Sequence, residues 1–434
     1  MKGIILPLLL IILPLQFGRH FWLENSYIFG LKVDYLSPTL YVQDILILTL
    51  IIFWLVEKRL RFNLKNFLLV AGYFLLVAIN ILFSLAPLIS FFAWLRISEF
   101  ILLGLVISKN SHKVFDILGK ILPAILIFEF GLGFVQTLRQ SSIGGLFWFF
   151  GERTFNILTP GIARGVWQGK IFLRPYGTFS HPNSLAGFIL VAIILVLSKK
   201  NLKLFDKLSV FCGFFLIFLS FSRTVWLALF IIGTGFVLQK IFLSFKIKKF
   251  SLDFLYFFSL FTVPLTVFLF SMTSIENSSF ENRKRLADTA LLIIRKNPLF
   301  GIGANNFIIG LSQENTVWQW SYWLQPVHNI FLLVASEVGL IGLVFFLTFL
   351  VVTIWRLFRH PISSLQYPIL ISLLAILFTG LFDHYWLTLI QNQLLFTVIL
   401  GLACPVNTQS STPSKFFLRT RKYDKISRVL KNNF

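Results

Sequence analysis

Apolar runs of about 15 to 22 residues recur along nearly the whole of this 434-residue chain, and each is long enough to cross a hydrocarbon core as a helix. Hydrophobic residues make up 57% of the chain and charged residues only 13%. Soluble domains average about 25% charged residues, so the composition is typical of a bilayer protein. The sequence therefore predicts an all-α, polytopic membrane protein.

The runs predict about twelve transmembrane helices. They lie near residues 3–17, 43–56, 67–83, 91–107, 115–136, 183–198, 208–221, 224–239, 252–272, 329–350, 367–381 and 388–403. The first run lacks a small-residue cleavage site, so it is predicted to be a retained helix rather than a signal peptide. In this interpretation residues 1–403 form a single transmembrane domain, and residues 404–434 form a basic, flexible cytoplasmic tail.

The net charge of +22 is distributed in a way that indicates orientation rather than nucleic-acid binding. Most lysines and arginines fall in alternate short loops and in the C-terminal tail, and cytoplasmic loops carry such an excess. Both termini are therefore expected in the cytoplasm, with no nucleic-acid partner. Of the two cysteines, Cys212 lies inside an apolar run and Cys404 at the end of another, which argues against a disulfide framework or a zinc site.

Two longer loops, near 137–182 and 273–328, fall on the outer side in this topology. Long loops are uncommon in compact domains unless they are functional. Both are basic, although the positive-inside bias disfavours lysine and arginine outside. An anionic ligand on the outer face is the simplest explanation.

Four segments concentrate polar residues at the predicted outer ends of spans. They are RPYGTFSHPNSLAG (174–187), SFSRT (220–224), RKNPLFGIGANNF (295–307) and HNIFLLVASEVGLIG (328–342). In this order, and together with GLFDHYWLTLIQNQLLF near the end, the segments resemble the O-antigen ligase family. That family includes O-antigen polymerases and pilin oligosaccharyltransferases, and the resemblance covers roughly residues 40–402.

The resemblance implies a GT-C-like architecture and inverting transfer of a glycan from a polyprenyl diphosphate carrier, on the outer face of the bacterial plasma membrane. The acceptor would be a lipid, a glycolipid or a protein, and no cofactor is expected. The family's functional residues correspond to Arg174, Arg223 and His328 in this sequence. Supporting positions are Tyr176, His181, Asn183, Arg283, Asn329 and Glu337.

The chemistry of such a transfer independently favours these residue types. A diphosphate leaving group develops negative charge, and the sequence has no D-x-D or similar carboxylate cluster for a metal. Guanidinium groups stay charged and bind phosphate oxygens in a two-pronged geometry, which suits Arg174 and Arg223. Histidine titrates near neutral pH, so His328 is predicted to be the general base for the acceptor hydroxyl. No carboxylate occupies a matching motif position.

Each candidate also has a structural interpretation. Arg174 could extend to lipid headgroups, and Arg223 could be a structural arginine between two apolar runs. His328 could cap the helix that begins at Asn329, and Pro182 and Asn183 are expected to start the helix after His181. Glu337 is expected to bond inside the bundle. Two further expectations are a tight turn at the GIG of 301–303 and mutual neutralisation of Arg96 and Glu99.

Three functions remain open at this point. The first is a ligase that moves a preassembled glycan to an acceptor. The second is a polymerase of the same superfamily, which moves the growing chain onto the next carrier-linked repeat. The third is a flippase or exporter of polyprenyl-linked glycans, which should show related halves or helices broken in mid-membrane.

Overall fold

The computed structural model describes residues 2–57, 64–242, 277–314, 324–359 and 366–405. Helices dominate this part of the chain, as the apolar runs predict. Three of its helices are long and apolar enough to cross a membrane: Pro87–Lys109, Ser111–Arg139 and Ile330–Phe358. Several shorter apolar helices of 10–17 residues accompany them. The chain is a multi-pass membrane protein.

The described residues contain fourteen α-helices. Their bounds are α1 Lys2–Ile11, α2 Val42–Glu57, α3 Leu64–Leu82, α4 Pro87–Lys109, α5 Ser111–Arg139, α6 Pro182–Leu197, α7 Leu204–Leu219, α8 Arg223–Phe242, α9 Asn277–Lys296, α10 Phe307–Glu314, α11 Ile330–Arg359, α12 Gln366–Gly380, α13 Tyr385–Thr388 and α14 Ile390–Ala403. The predicted span at 252–272 lies outside the described residues.

Short strands form three antiparallel pairs in the loops. Their bounds are β1 Gly18–His20, β2 Tyr27–Ile28, β3 Leu31–Lys32, β4 Thr39–Tyr41, β5 Arg164–Trp167 and β6 Lys170–Leu173. β1 pairs with β4, β2 with β3, and β5 with β6. The predicted outer loop at 137–182 therefore contains a hairpin, together with a 3₁₀ helix at Gly145–Phe150. The described parts of the loop at 273–328 contain α9 and α10.

Helix α6 is the centre of the bundle. It is apolar on every face, and nearly all of its residues are buried. A helix that is hydrophobic all round lies in a protein core or in lipid. Helices α5, α7, α12 and α14 cover α6. The start of α6 is thereby fixed among the loops at one end of the bundle, which we call the site end.

The first predicted span is shorter than expected. Helix α1 ends at Ile11, whereas the apolar run continues to residue 17. Pro14 follows three residues later, and proline has no N–H to continue the helical ladder. Residues 12–15 form turns instead, with Leu15 N donating to the carbonyl oxygen of Ile12 at 3.0 Å.

Helix α11 is longer than the predicted span at 329–350, and it is broken. Gly339 has φ 78° and ψ 177°, values that no helix contains. The backbone of residues 298–303 fills the break: Leu340 N donates to the carbonyl oxygen of Pro298 at 2.8 Å, and Ile302 N donates to that of Ser336 at 3.0 Å. A Cβ atom at position 339 would lie 2.1 Å from the carbonyl oxygen of Leu299, so only glycine fits.

The GIG turn is confirmed, since Gly301 and Gly303 both have positive φ. Glu337 bonds inside the bundle as expected, because its Oε1 accepts from Phe307 N at 3.2 Å at the start of α10. The expected partner of Arg96 is wrong. Arg96 pairs with Asp44 on α2 at 2.9 Å, because that carboxylate and the Thr39 carbonyl both face its guanidinium.

Candidate active site

The segment after β6 brings Arg174 back to the bundle at the start of α6. The guanidinium of Arg174 is buried and donates from Nε to the Ser220 carbonyl and from Nη2 to Asn183 Oδ1. Asn183 in turn donates from Nδ2 to Asp383 Oδ2 at 2.9 Å. One asparagine thus links the arginine of the first polar segment to a carboxylate near the C-terminal end of the bundle.

Helix α6 begins at Pro182 as expected, and His181 rather than Asn183 caps its backbone. His181 is the N-cap of α6, and its Nδ1 accepts from Asn183 N at 3.1 Å. The Asn183 side chain is consequently not used as a cap and is available to bridge Arg174 and Asp383.

His328 lies in the loop before α11, opposite His384. The two imidazole rings are 5.1 Å apart between centroids in an edge-to-face arrangement. His328, Asp383 and His384 each offer one nitrogen or oxygen atom within 4.8 Å of the others. The Nδ1 atom of His328 is buried and has no hydrogen-bond partner within the described residues. An unpaired buried polar atom is rare in native structures and often marks a catalytic role.

The structural interpretation of His328 as a helix cap is wrong. Asn329 caps α11 instead, since its Oδ1 accepts from Phe331 N at 2.9 Å and from Leu332 N at 3.0 Å. Its Nδ2 also donates to the Leu381 carbonyl at 3.1 Å, which ties the start of α11 to the loop that carries Asp383. His328 is thereby held in place without using its own ring nitrogens for the cap.

Two further arginines lie close to this group. Arg223 begins α8 directly after the α7–α8 turn, and its charge acts on Arg174. Arg283 on α9 donates from Nη1 to the Phe382 carbonyl at 3.3 Å, one residue before Asp383. Three guanidinium groups therefore lie at this end of the bundle, and Arg174 and Arg283 both interact electrostatically with Asp383. We call Arg174, Arg223, Arg283, His328 and Asp383 the cationic cluster.

Burial sets the protonation states of the cluster. It lowers the pKa of Arg174 to about 10, a value at which the guanidinium remains charged at neutral pH. It lowers the pKa of His328 to about 3, and that of His181 also to about 3, so both imidazoles are neutral. Burial opposes ionisation of Asp383, but the positive charge of Arg283 favours it and holds the pKa below the ordinary value. The cluster carries a net positive charge.

The remaining predicted positions lie outside the cluster. Tyr176 stabilises the segment that carries Arg174. Its hydroxyl accepts from Ala163 N at 2.8 Å, and its ring centroid lies 6.3 Å from that of His181. Glu337 lies with α10, as described above. The structure thus groups Arg174, His181, Asn183, Arg223, Arg283, His328 and Asn329 at the site end.

Sequence reasoning missed Asp383, His384 and Tyr35. No matching motif position holds a carboxylate, yet Asp383 reaches His328 from the loop between α12 and α13. The signal was present, since Asp383 and His384 form a polar pair between two apolar runs, at the same end as His328. Tyr35, whose ring lies 5.5 Å from that of His384, had no sequence signal.

Three potential metal ligands meet here, and their surroundings disfavour a metal. Asp383 Oδ1 accepts from His384 N at 2.9 Å, and Oδ2 accepts from Asn183. His384 Nδ1 is bonded to Thr388 Oγ1 at 2.7 Å. Both carboxylate oxygens and one ring nitrogen are therefore engaged, and the nearby arginines repel a divalent cation. The cluster is better suited to an anion.

A polytopic helical bundle with arginines and histidines gathered at one end is chemically suited to an anionic ligand. The particular family follows from comparison with family models. Residues 208–347 match the model described as O-Antigen ligase, which confirms the resemblance carried by the motifs and supports membrane glycosyltransferase activity. The match includes Arg223, Arg283 and His328. A search of curated proteins found no match.

Proposed function

We propose that the protein is a metal-independent, inverting glycosyltransferase that moves a glycan from a polyprenyl diphosphate carrier to a lipid, glycolipid or protein acceptor. The reaction would occur at the outer face of a bacterial plasma membrane, with both termini in the cytoplasm. The observation that carries the proposal is the cationic cluster, in which Arg283 acts on His328, whose Nδ1 is buried and unpaired within the described residues, while Arg174 interacts with Arg223, Arg283 and Asp383.

The arginines would bind the diphosphate and stabilise it as it leaves. The glycosidic C–O bond to phosphate breaks, and its electron pair stays on the diphosphate. Fixed cations aimed at the point where charge develops lower the barrier, since they need no reorganisation during the reaction. Arg174 is held in this way, because Ser220 and Asn183 engage two of its nitrogens and fix the plane of the guanidinium.

His328 would accept the proton of the acceptor hydroxyl. The acceptor oxygen forms its new bond to the anomeric carbon on the face opposite the diphosphate, and the proton passes to the imidazole. Burial lowers the pKa of this imidazole, which leaves it neutral at neutral pH but makes it a weak base in the absence of substrate. Asp383 and the bound diphosphate, both negative, would stabilise the imidazolium that forms.

The transporter alternative has one structural feature in its favour, the break in α11 at Gly339. In transporters such breaks line a mid-membrane binding site. Here residues 298–303 fill the break and bond its backbone groups, so the break serves packing. The side chains that can bind anions or transfer protons gather at the site end instead, and this arrangement favours the enzyme.

Transfer assays on purified protein in nanodiscs test this function. A polyprenyl diphosphate-linked glycan would be supplied alone or with a glycolipid acceptor, each with and without a chelator. We expect glycosylated acceptor both with and without the chelator. Chain extension on the carrier itself would identify the polymerase, and complete, reversible loss of product with the chelator would overturn the metal-independent mechanism.

A further inference from the structure

The 3₁₀ helix Gly145–Phe150, GLFWFF, exposes four large apolar side chains in six residues. The exposed fractions are 75% for Leu146, 51% for Trp148, 60% for Phe149 and 43% for Phe150. Contiguous exposed apolar groups on a loop indicate a contact with a protein partner or with lipid. The aromatic character of this segment, which we call the aromatic loop, matches the side chains that concentrate at membrane interfaces.

The position of the aromatic loop along α5 decides between these contacts. The Phe150 ring packs against Phe128 on α5, with centroids 5.9 Å apart. Helix α5 has 29 residues and is therefore about 43 Å long, which exceeds a hydrocarbon core of about 30 Å. If the core begins near Phe115, where the predicted span begins, it ends about 20 residues later, near Val135. Phe128 lies within that distance, so the loop folds back to the depth of the membrane boundary.

The aromatic loop is also continuous with surfaces that face lipid. Trp148 and Phe149 contact Phe17 with centroids 5.4 and 6.2 Å apart, at the end of the first apolar run. On α5, Phe134 and Leu138 carry the exposed apolar surface further toward the helix end. An aqueous loop would interrupt this apolar surface, whereas a loop in the headgroup region extends it.

We propose that residues 145–150 insert into the membrane leaflet at the site end and that they fix the depth of Arg174 relative to the lipid. The second part rests on the proposed function, because it concerns the height at which a carrier's diphosphate meets the arginine. The occupant of the surface is lipid, not a second copy of the chain.

A buried polar network connects the aromatic loop to the segment of Arg174. Glu152 follows the loop and is almost fully buried; its Oε1 accepts from Ile143 N at 2.7 Å and its Oε2 accepts from Gly144 N at 2.7 Å. Gln136 on α5 donates from Nε2 to Glu152 Oε1 at 2.8 Å. The Oε1 atom of Gln136 accepts from Tyr176 N at 3.0 Å and from Gly177 N at 2.8 Å. Two side chains thus span the distance from the lipid-facing loop to residues adjoining Arg174.

Site-directed spin labelling in nanodiscs tests the insertion. A label at Leu146→Cys, with both native cysteines replaced by alanine, should collide with oxygen more than with a water-soluble nickel chelate. The matched control is Leu158→Cys in the same loop, which is 80% exposed and should show the opposite preference. Equal nickel access at both positions would overturn the insertion, and so would protection of Leu146 from both reagents, which would indicate a protein partner.

Transfer kinetics test the connection to the site. The double variant Trp148→Ser, Phe149→Ser should raise KM about tenfold for a long-chain donor in the bilayer, equivalent to about 1.4 kcal/mol. A short-chain, water-soluble donor should show unchanged KM, and kcat should hold for both donors. An equal rise in KM for both donors would contradict the proposal that the aromatic loop sets the depth of Arg174. Absence of transfer by the wild-type protein would instead contradict the proposed function and leave the labelling result intact.

Discussion

Asn183 Nδ2 donates to Asp383 Oδ2 at 2.9 Å, although the two residues lie 200 positions apart. The same asparagine accepts from Arg174 through its Oδ1. It therefore orients a cation and an anion of the cluster at the same time. Few side chains can do this, since the bridge needs a donor and an acceptor on one short, rigid group.

Asn183→Ala should lower transfer by about tenfold or more, because hydrogen bonds to charged groups contribute about 1.5–3 kcal/mol. Asn183→Asp should also fail, since it places a second carboxylate beside Asp383. Initial rates in nanodiscs measure both effects. The matched control is Asn156→Ala, an exposed asparagine in the loop between α5 and α6, which should keep the wild-type rate. Wild-type rates for both Asn183 variants would contradict the bridging role.

Arg174→Lys and Arg223→Lys should each reduce the transfer rate at least about tenfold, which corresponds to about 1.4 kcal/mol of transition-state stabilisation. Lysine keeps the charge but cannot reproduce the planar, two-pronged guanidinium. Arg164→Lys, at an exposed position on β5, provides the control. Unchanged rates in both cluster variants would show that these arginines do not bind the diphosphate.

The orientation of the chain can be tested at two positions of equal exposure. Leu158, between α5 and α6, is 80% exposed, and Leu204, at the start of α7, is 83% exposed. In intact cells an impermeant thiol reagent should label Leu158→Cys and leave Leu204→Cys unlabelled, because the lysine and arginine distribution predicts that residues 137–182 lie outside. The reverse pattern would place the cationic cluster on the cytoplasmic side.

Gly339→Ala should destabilise the protein, because the new Cβ would meet the Leu299 carbonyl and the backbone would keep a positive φ. Strain of this kind costs about 1–3 kcal/mol before any steric clash is added. Thermal unfolding in detergent measures the loss. Gly131→Ala is the control, since nothing lies within 4 Å of a Cβ at that helical position and alanine favours helices. Equal melting temperatures for both variants would mean that α11 is not held by the 298–303 turn.

The sequence was sufficient for the helical membrane class and for several residues that meet in the cluster. The bilayer explains this success. A span must be apolar over its length, and the loops between spans bring polar residues to the same end of the bundle. The break at Gly339 could not be predicted, because it depends on a backbone segment 36–41 residues earlier that fills it. Likewise, Asp383 resembled an ordinary loop residue until folding brought it beside His328.

The role of His328 as the general base is tested most directly by one measurement. Carrier binding and transfer would be measured in the same nanodisc preparation for His328→Gln and His328→Ala, with His112→Gln, at an exposed position on α5, as the control. A general base contributes about 10²- to 10⁴-fold, so both His328 variants should lose that much turnover while carrier binding stays nearly intact. Near-normal transfer by the Gln variant, or loss of binding together with transfer in the Ala variant, would contradict the assignment of His328 as the base.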